Sequence, residues 1–205
     1  MDFADALGAV RREVVRDEET VVVRMRRSYA TPIEDLWDAI TDATRLSRWF
    51  LPIEGELRAG GSFQFKDNAG GEILRCEPPG LLQVSYGGET SLVEVRLTSE
   101  EKGTELVLEH SVPLELAGNA AGALYVGPGW DIAFLGLGLH LDGEVVADPV
   151  AWENSLPVQR YALRTVDAWA EAASGAATAE EIGQAAGVSR SQFAPEVSGD
   201  QAGDA

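Results

Sequence analysis

Residues 127–143, GPGWDIAFLGLGLHLDG, read as one helix that is apolar on every side, and such a helix has to be enclosed. Pro128 suits a first helical turn, where its missing N–H would have no partner. Gly143 supplies a left-handed stop after Asp142. Trp130, Ala133, Phe134, Leu137, His140 and Leu141 fall on one broad face, and Ile132, Leu135 and Leu139 occupy the other. Gly136 and Gly138 lie inside the helix, each costing about 1 kcal/mol relative to alanine. Glycine there lets a sheet come close or leaves open space. The expectation is a curved sheet wrapped round this helix, with a cavity between the two.

The rest of the chain supplies that sheet. Phe3, Leu7, Val10 and Val14 have heptad-like spacing and predict a short amphipathic helix over residues 2–12. Residues 14–29 read as extended, with a turn at Asp17-Glu18-Glu19; Val21, Val23 and Met25 alternate with Val22, Arg24 and Arg26. Thr31 as N-cap, Pro32 at N1 and Glu34 at N3 form a capping-box pattern for a helix buried on Ile33, Leu36, Trp37 and Ile40. A second short helix is expected over 43–49. Residues 55–111 carry turn residues every eight to twelve positions, which marks a meander of hairpins.

Strands are expected at 55–57, 62–66, 72–77, 81–86, 91–100 and 104–111. Alternation puts Phe63 and Phe65 on one face, with Leu82, Val84, Tyr86, Val93, Val95, Leu97, Leu106, Leu108 and His110. An antiparallel sheet with one apolar face needs one covering layer, and the 127–143 helix is the obvious cover. Residues 114–126 show no clear period. Trp152 looks like an anchor, and 157–173 read as a last helix with Val158, Tyr161, Ala162, Thr165, Val166 and Trp169 inward. After 174 the chain is rich in Ala, Gly and Ser, partly helical, then frayed past Pro195.

Particular stretches in this order carry a resemblance. TPIEDLWDAITDATRLSRWFLP (31–52) has a proline-started helix with an internal tryptophan, then a short helix ending in Trp-Phe before a proline. LRAGGSFQF (57–65), GGEILRCEPPGLLQVSY (70–86), GTELVLEHSVP (103–113) and GPGWDIAFL (127–135) continue it. Together they resemble the activator of heat-shock protein 90 ATPase homologue-like family of the SRPBCC (START-like) superfamily. The match spans about residues 20–142, and the Trp152 and Trp169 segments resemble extensions in bacterial members. The resemblance implies an α+β helix-grip fold: a curved antiparallel sheet around a C-terminal helix. One domain is expected over 1–173, with its family-like core at 20–142, a helical extension at 148–173 and a tail at 174–205. The superfamily spans lipid carriers, aromatase/cyclases, allergen-type ligand binders and chaperone co-activators, so the fold by itself leaves function open.

Composition narrows the classes. A net charge of −18 argues against nucleic acid or an anionic membrane as partner. The longest uncharged apolar run, 132–139, is too short for a bilayer, and the N-terminus lacks a signal-peptide pattern, so no membrane insertion and a cytoplasmic setting are expected. Cys76 is the single cysteine, which fits a reducing compartment. Two histidines and one cysteine make no metal case, and nothing calls for a cofactor. No nucleophile motif or phosphate loop is present. TAEEIGQAAGVSRSQF (178–193) resembles the first part of a helix-turn-helix with its turn at Gly187, but one basic residue, Arg190, is too few for groove binding, and a small peripheral helix pair is expected instead.

The expected site is therefore a cavity walled by Trp49, Phe63, Phe65, Tyr86, Trp130, Phe134 and Leu137, with His110 as a directional polar anchor. It would take a small apolar or aromatic ligand. The alternatives are a non-enzymatic protein contacting a chaperone or a second copy, and a cyclase/dehydratase-type enzyme using His110 with a cavity water. Asp131, near a helix N-terminus, is a candidate acid to pair with His110, and sequence does not bring the two together. His140 is expected at the solvent edge, where the helix C-terminus favours its charged form. Glu72 and Glu89 are expected on the surface.

Overall fold

The computed structural model describes residues 3–197. Helix α1 (Phe3–Gly8) is followed directly by β1 (Arg11–Arg16). The helix expected over 2–12 stops at Gly8, and Arg11 and Arg12 belong to the strand, because the Asp17 turn folds β1 back on β2 (Thr20–Tyr29), pairing Arg11 with Arg26 and Val14 with Val23. The Asp17 carboxylate holds the turn by accepting the Glu19 and Thr20 N–H groups at 2.8 and 2.7 Å. Helix α2 (Ile33–Thr41) begins one residue later than the capping box predicts. Pro32 is its N-cap, and the Thr31 hydroxyl donates to the Asp35 carboxylate at 2.7 Å rather than accepting a backbone N–H. Asp42 caps α3 (Ala43–Leu46), which is shorter than expected; residues 47–50 are turns.

The meander then runs β3 (Ile53–Gly55), β4 (Ser62–Phe65), β5 (Gly70–Glu77), β6 (Leu81–Ser85), β7 (Leu92–Glu100) and β8 (Gly103–Pro113). The eight strands form one sheet in the order β1-β2-β8-β7-β6-β5-β4-β3, antiparallel throughout. Only the β2–β8 neighbours are distant in sequence, and that pairing joins the N-terminal hairpin to the meander. The period-two pattern governs its faces: Val21, Val23, Met25, Phe63, Phe65, Val93, Leu106 and Leu108 are buried inward. On the outer face Arg24 pairs with Glu13 and Glu109, and Arg26 with Glu105.

Residues 114–126, without a period in sequence, form α4 (Leu114–Ala117) and a buried 3-10 turn, Ala120–Tyr125. Helix α5 (Gly127–Leu141) lies in the grip of the sheet and is buried on nearly all sides. Its front carries Phe134 and Leu137 toward the sheet. Its back carries Ile132 and Leu135 into a second apolar cluster with Ala6, Val158, Tyr161 and Ala162. That second layer explains why α5 needs no polar face. It is made by α7 (Leu156–Ala173), whose predicted inward residues, Trp169 included, are all buried. Helix α6 (Pro149–Glu153) sets Trp152 against α5.

The partly helical tail expected after 174 holds one ordered helix. Helix α8 (Ala179–Phe193) starts on a Thr178–Glu181 capping box and runs straight through Gly187, so the expected helix pair is a single helix. Ser189 donates to the Leu124 carbonyl at 2.8 Å, and the Glu196 N–H donates to Gln159 at 2.9 Å. The chain therefore stays packed through Val197, and the expected frayed end otherwise falls on residues 198–205, outside those described.

Candidate functional site

Between α5 and the sheet lies a cavity of about 170 Å³. Strands β6, β7 and β8 form its floor through Val84, Val93, Val95, Leu106 and Leu108. Trp130, Ala133, Phe134 and Leu137 line it from α5; Ile40, Leu46, Trp49 and Phe50 close it from the α2–α3 segment. The aromatic groups stack on one another: Phe50 meets Phe65 edge-on at 5.0 Å between centroids, Phe63 meets Phe65 at 5.4 Å, and Tyr86 meets Trp130 at 5.3 Å. Such pairs hold ring orientations as well as burying area.

The polar atoms on this wall are already engaged. Trp49 Nε1 donates to the Ala39 carbonyl at 3.0 Å, and the Thr41 hydroxyl to the Trp37 carbonyl at 2.7 Å. Trp130 Nε1 donates to His110 Nδ1 at 3.0 Å, and the Tyr86 hydroxyl to Asn68 Oδ1 at 3.1 Å. The remaining group is the thiol of Cys76, half-buried on β5. The interior thus offers apolar surface with its hydrogen bonds closed off.

Of the wall residues expected from sequence, the structure brings together Trp49, Phe63, Phe65, Tyr86, Trp130, Phe134 and Leu137. His110 is the exception. It is 3% exposed, sits between Val23 and Val93 in the sheet, and does not line the cavity. Because Nδ1 accepts from Trp130, the neutral ring carries its proton on Nε2 and donates it to Ser91 Oγ at 2.8 Å. Both nitrogens are used, so His110 is a brace for Trp130 rather than an anchor for a guest. Burial lowers its pKa to about 4.

That shift has a consequence for stability. Between about pH 6.5 and about pH 4 the unfolded chain takes up a proton that the folded imidazole refuses. Stability should therefore fall as pH falls through that window. The urea midpoint of the wild type should drop more steeply there than that of His110→Gln; equal slopes would mean the ring titrates freely in the fold.

Asp131 does not meet His110. It lies against β1 and α7, fully buried, where Arg12 grips it through Nε at 2.9 Å and Nη2 at 2.5 Å. Trp169 Nε1 donates to the same carboxylate at 2.8 Å. Burial pushes the Asp131 carboxyl up, and Arg12 and the Trp169 N–H pull against that. On the same helix the Phe134 carbonyl accepts from Arg27 at 2.9 Å and from the Tyr29 hydroxyl at 3.2 Å. The acid–base pair considered from sequence is thus a structural ion pair and a separate imidazole.

Other expectations also change. A Cβ on Gly136 would lie 2.9 Å from the Trp49 carbonyl and 3.5 Å from the Trp152 ring. Gly136 therefore permits a close approach and opens no space into the cavity. His140 is half-buried with Nε2 lacking a hydrogen bond among the described residues. Burial, then Arg45 and Arg48, lower its pKa, with Asp35 pulling the other way. Glu72 and Glu89 are exposed. The strand residues of the floor were visible in the alternation, Ile40 in the helical stripe it shares with Ile33, Leu36 and Trp37, and Phe50 as an aromatic candidate beside Trp49; Ile53 carried no signal beyond being apolar. Among the described residues, no cluster of His, Cys, Asp or Glu could hold a metal ion, and no helix is long and apolar enough to cross a membrane.

A curved antiparallel sheet gripping one buried helix over an apolar hollow defines a helix-grip, SRPBCC-type domain. The family described as "Activator of Hsp90 ATPase homolog 1-like protein" matches residues 30–138. This chain belongs to that family. The crystal structure of CalU16 from Micromonospora echinospora is similar at 35% identity over 81% of this chain and 96% of CalU16, with a TM-score of 0.65. The solution structure of CalU16 gives 35% identity over 82% and 94%, with a TM-score of 0.66. MLL2253 from Mesorhizobium loti matches at 27% identity over 60% of this chain and 97% of its own, with a TM-score of 0.50. No curated protein matches the chain.

Proposed function

We propose that this protein binds a small apolar or aromatic molecule between its sheet and α5. The observation that carries this reading is a hollow of about 170 Å³ whose wall is apolar and whose polar atoms, the Cys76 thiol apart, are paired elsewhere. A dry apolar cavity of roughly 150 Å³ is enough to hold a benzene molecule. The guest is therefore of single-ring size, with larger ones requiring the α2–α3 segment to move. A ring burying on the order of 200 Å² gains roughly 5 kcal/mol, which corresponds to sub-millimolar affinity. The single thiol fits a reducing, cytoplasmic setting.

The cyclase-type alternative required His110 beside a cavity water, and that imidazole is off the wall and doubly bonded. Binding is the reading favoured over catalysis. Ethylbenzene or indole should raise the melting temperature of the wild type in a dose-dependent way. Ala133→Phe, which projects a ring into the hollow from α5, should stay folded and lose that response. If every apolar probe leaves the wild-type melting temperature unchanged, the cavity reading fails and a surface-mediated contact with a chaperone or a second copy takes its place.

A further inference from the structure

The sheet side of the hollow is covered unevenly. Ile73, Val84 and Val93 form one row across β5, β6 and β7 on the inner face, and all three are buried. The next row, two residues away along β6 and β7, is Cys76, Leu82 and Val95. These three also line the hollow, yet each is only half-buried. The same row is buried again where it continues to Leu108 and Met25. Leu97, farther along β7 where α2 packs, is buried too. The wall is therefore open over a short apolar stretch of β5, β6 and β7.

Strand lengths account for this opening. Strand β4 starts at Ser62, opposite Glu72, whereas β5 runs on to Glu77. Beyond β4 the neighbour of β5 is the loop of residues 56–61, tied to Ile73 by two backbone hydrogen bonds of 2.8 Å, from the Gly60 N–H and to the Gly61 carbonyl. Leu57, on that loop, lines the hollow while 40% exposed. Tyr86 and Trp130, at another part of the wall, are half-buried as well, but their rings pack at 5.3 Å and their polar atoms are tied to Asn68 and His110, which shuts that end.

An apolar row left partly wet is stabilised when apolar matter covers it. A hydroxyl held deep in the hollow finds the wall's polar groups engaged and is costly to bury unless it reaches water. Resting on the binding function proposed above, we infer that the guest is an amphiphile: a single ring seated in the hollow, an unbranched apolar chain laid over Cys76, Leu82 and Val95, and a polar end carried past Leu57 into water. The single-ring limit applies to what sits inside the hollow, and the chain leaves through the opening. From the Val93 row to the Val95 row is roughly 7 Å, a reach of about six chain bonds.

Two isomers of equal composition test this against simple greasiness: 6-phenylhexan-1-ol, with its hydroxyl at the chain end, and 1-phenylhexan-1-ol, with its hydroxyl beside the ring. Titrated calorimetrically into the full chain, the first should bind about tenfold or more tighter than the second. Cys76, the single cysteine, reports where the chain lies. At saturation 6-phenylhexan-1-ol should slow its alkylation by N-ethylmaleimide several-fold more than ethylbenzene does. Isomers that bind alike or in the reverse order, or a bound 6-phenylhexan-1-ol that protects Cys76 no better than ethylbenzene, overturn the amphiphile and leave the binding of a bare ring standing. Failure of ethylbenzene itself to bind overturns the binding function beneath it.

Discussion

Replacing Asp131 by alanine should lower folding stability by about 3–5 kcal/mol. The carboxylate is 0% exposed and the Arg12 side chain 7% exposed, so removing the acid strands a guanidinium where water does not reach it. The cost is mostly that stranded charge rather than the worth of the pair. Arg12 also donates to the Leu7 and Val10 carbonyls at 3.1 and 2.9 Å, which holds it in place and keeps it from swinging out to solvent. Replacing both partners by apolar residues, as in Arg12→Met with Asp131→Leu, should restore much of the loss. Urea denaturation of the single and double variants measures this. A single-variant loss under about 1 kcal/mol would place the pair among solvent-screened ion pairs.

Trp169→Ala should be comparably damaging, at about 3–5 kcal/mol. The side chain is 0% exposed and lies where α5 begins; a Cβ on Gly127 would sit 2.5 Å from its ring. Truncation opens a large cavity and leaves Asp131 short of one donor. Trp169→Phe separates the two effects, keeping most of the packing and losing only the 2.8 Å hydrogen bond, and should cost about 1–3 kcal/mol. Because Trp169 and Arg12 share one carboxylate, their losses should not add, and a double-mutant cycle should show coupling of at least about 0.5 kcal/mol. Additive losses would mean α7 and β1 hold α5 independently.

These expected effects show how α5 is held from behind, and that support was only half legible in the sequence. The inward stripe of α7 could be read from its helical spacing, and Trp169 was correctly placed inward. Nothing in that spacing indicated that its N–H would meet Asp131, or that Arg12, 119 positions before Asp131, would meet it too. The same division holds in front of the helix. Strand alternation placed His110 on the inner face, and it is there; its partners Trp130 and Ser91 moved it from anchor to brace. Gly136 shows the limit from the other side: a small residue marks a close approach or a gap, and only the Trp49 carbonyl beside it decides which.

What the sequence by itself determined is local and periodic. Alternation set the inner face of each strand, turn residues set where strands end, and an all-apolar helix required enclosure on both sides. The tertiary structure alone decided which polar groups pair across the core, how large the hollow is, and which residues of the α2–α3 segment close it. The reason is physical. Periodicity records which way a side chain points from its own backbone, whereas a cavity or an ion pair depends on the distance to a surface contributed by a remote part of the chain.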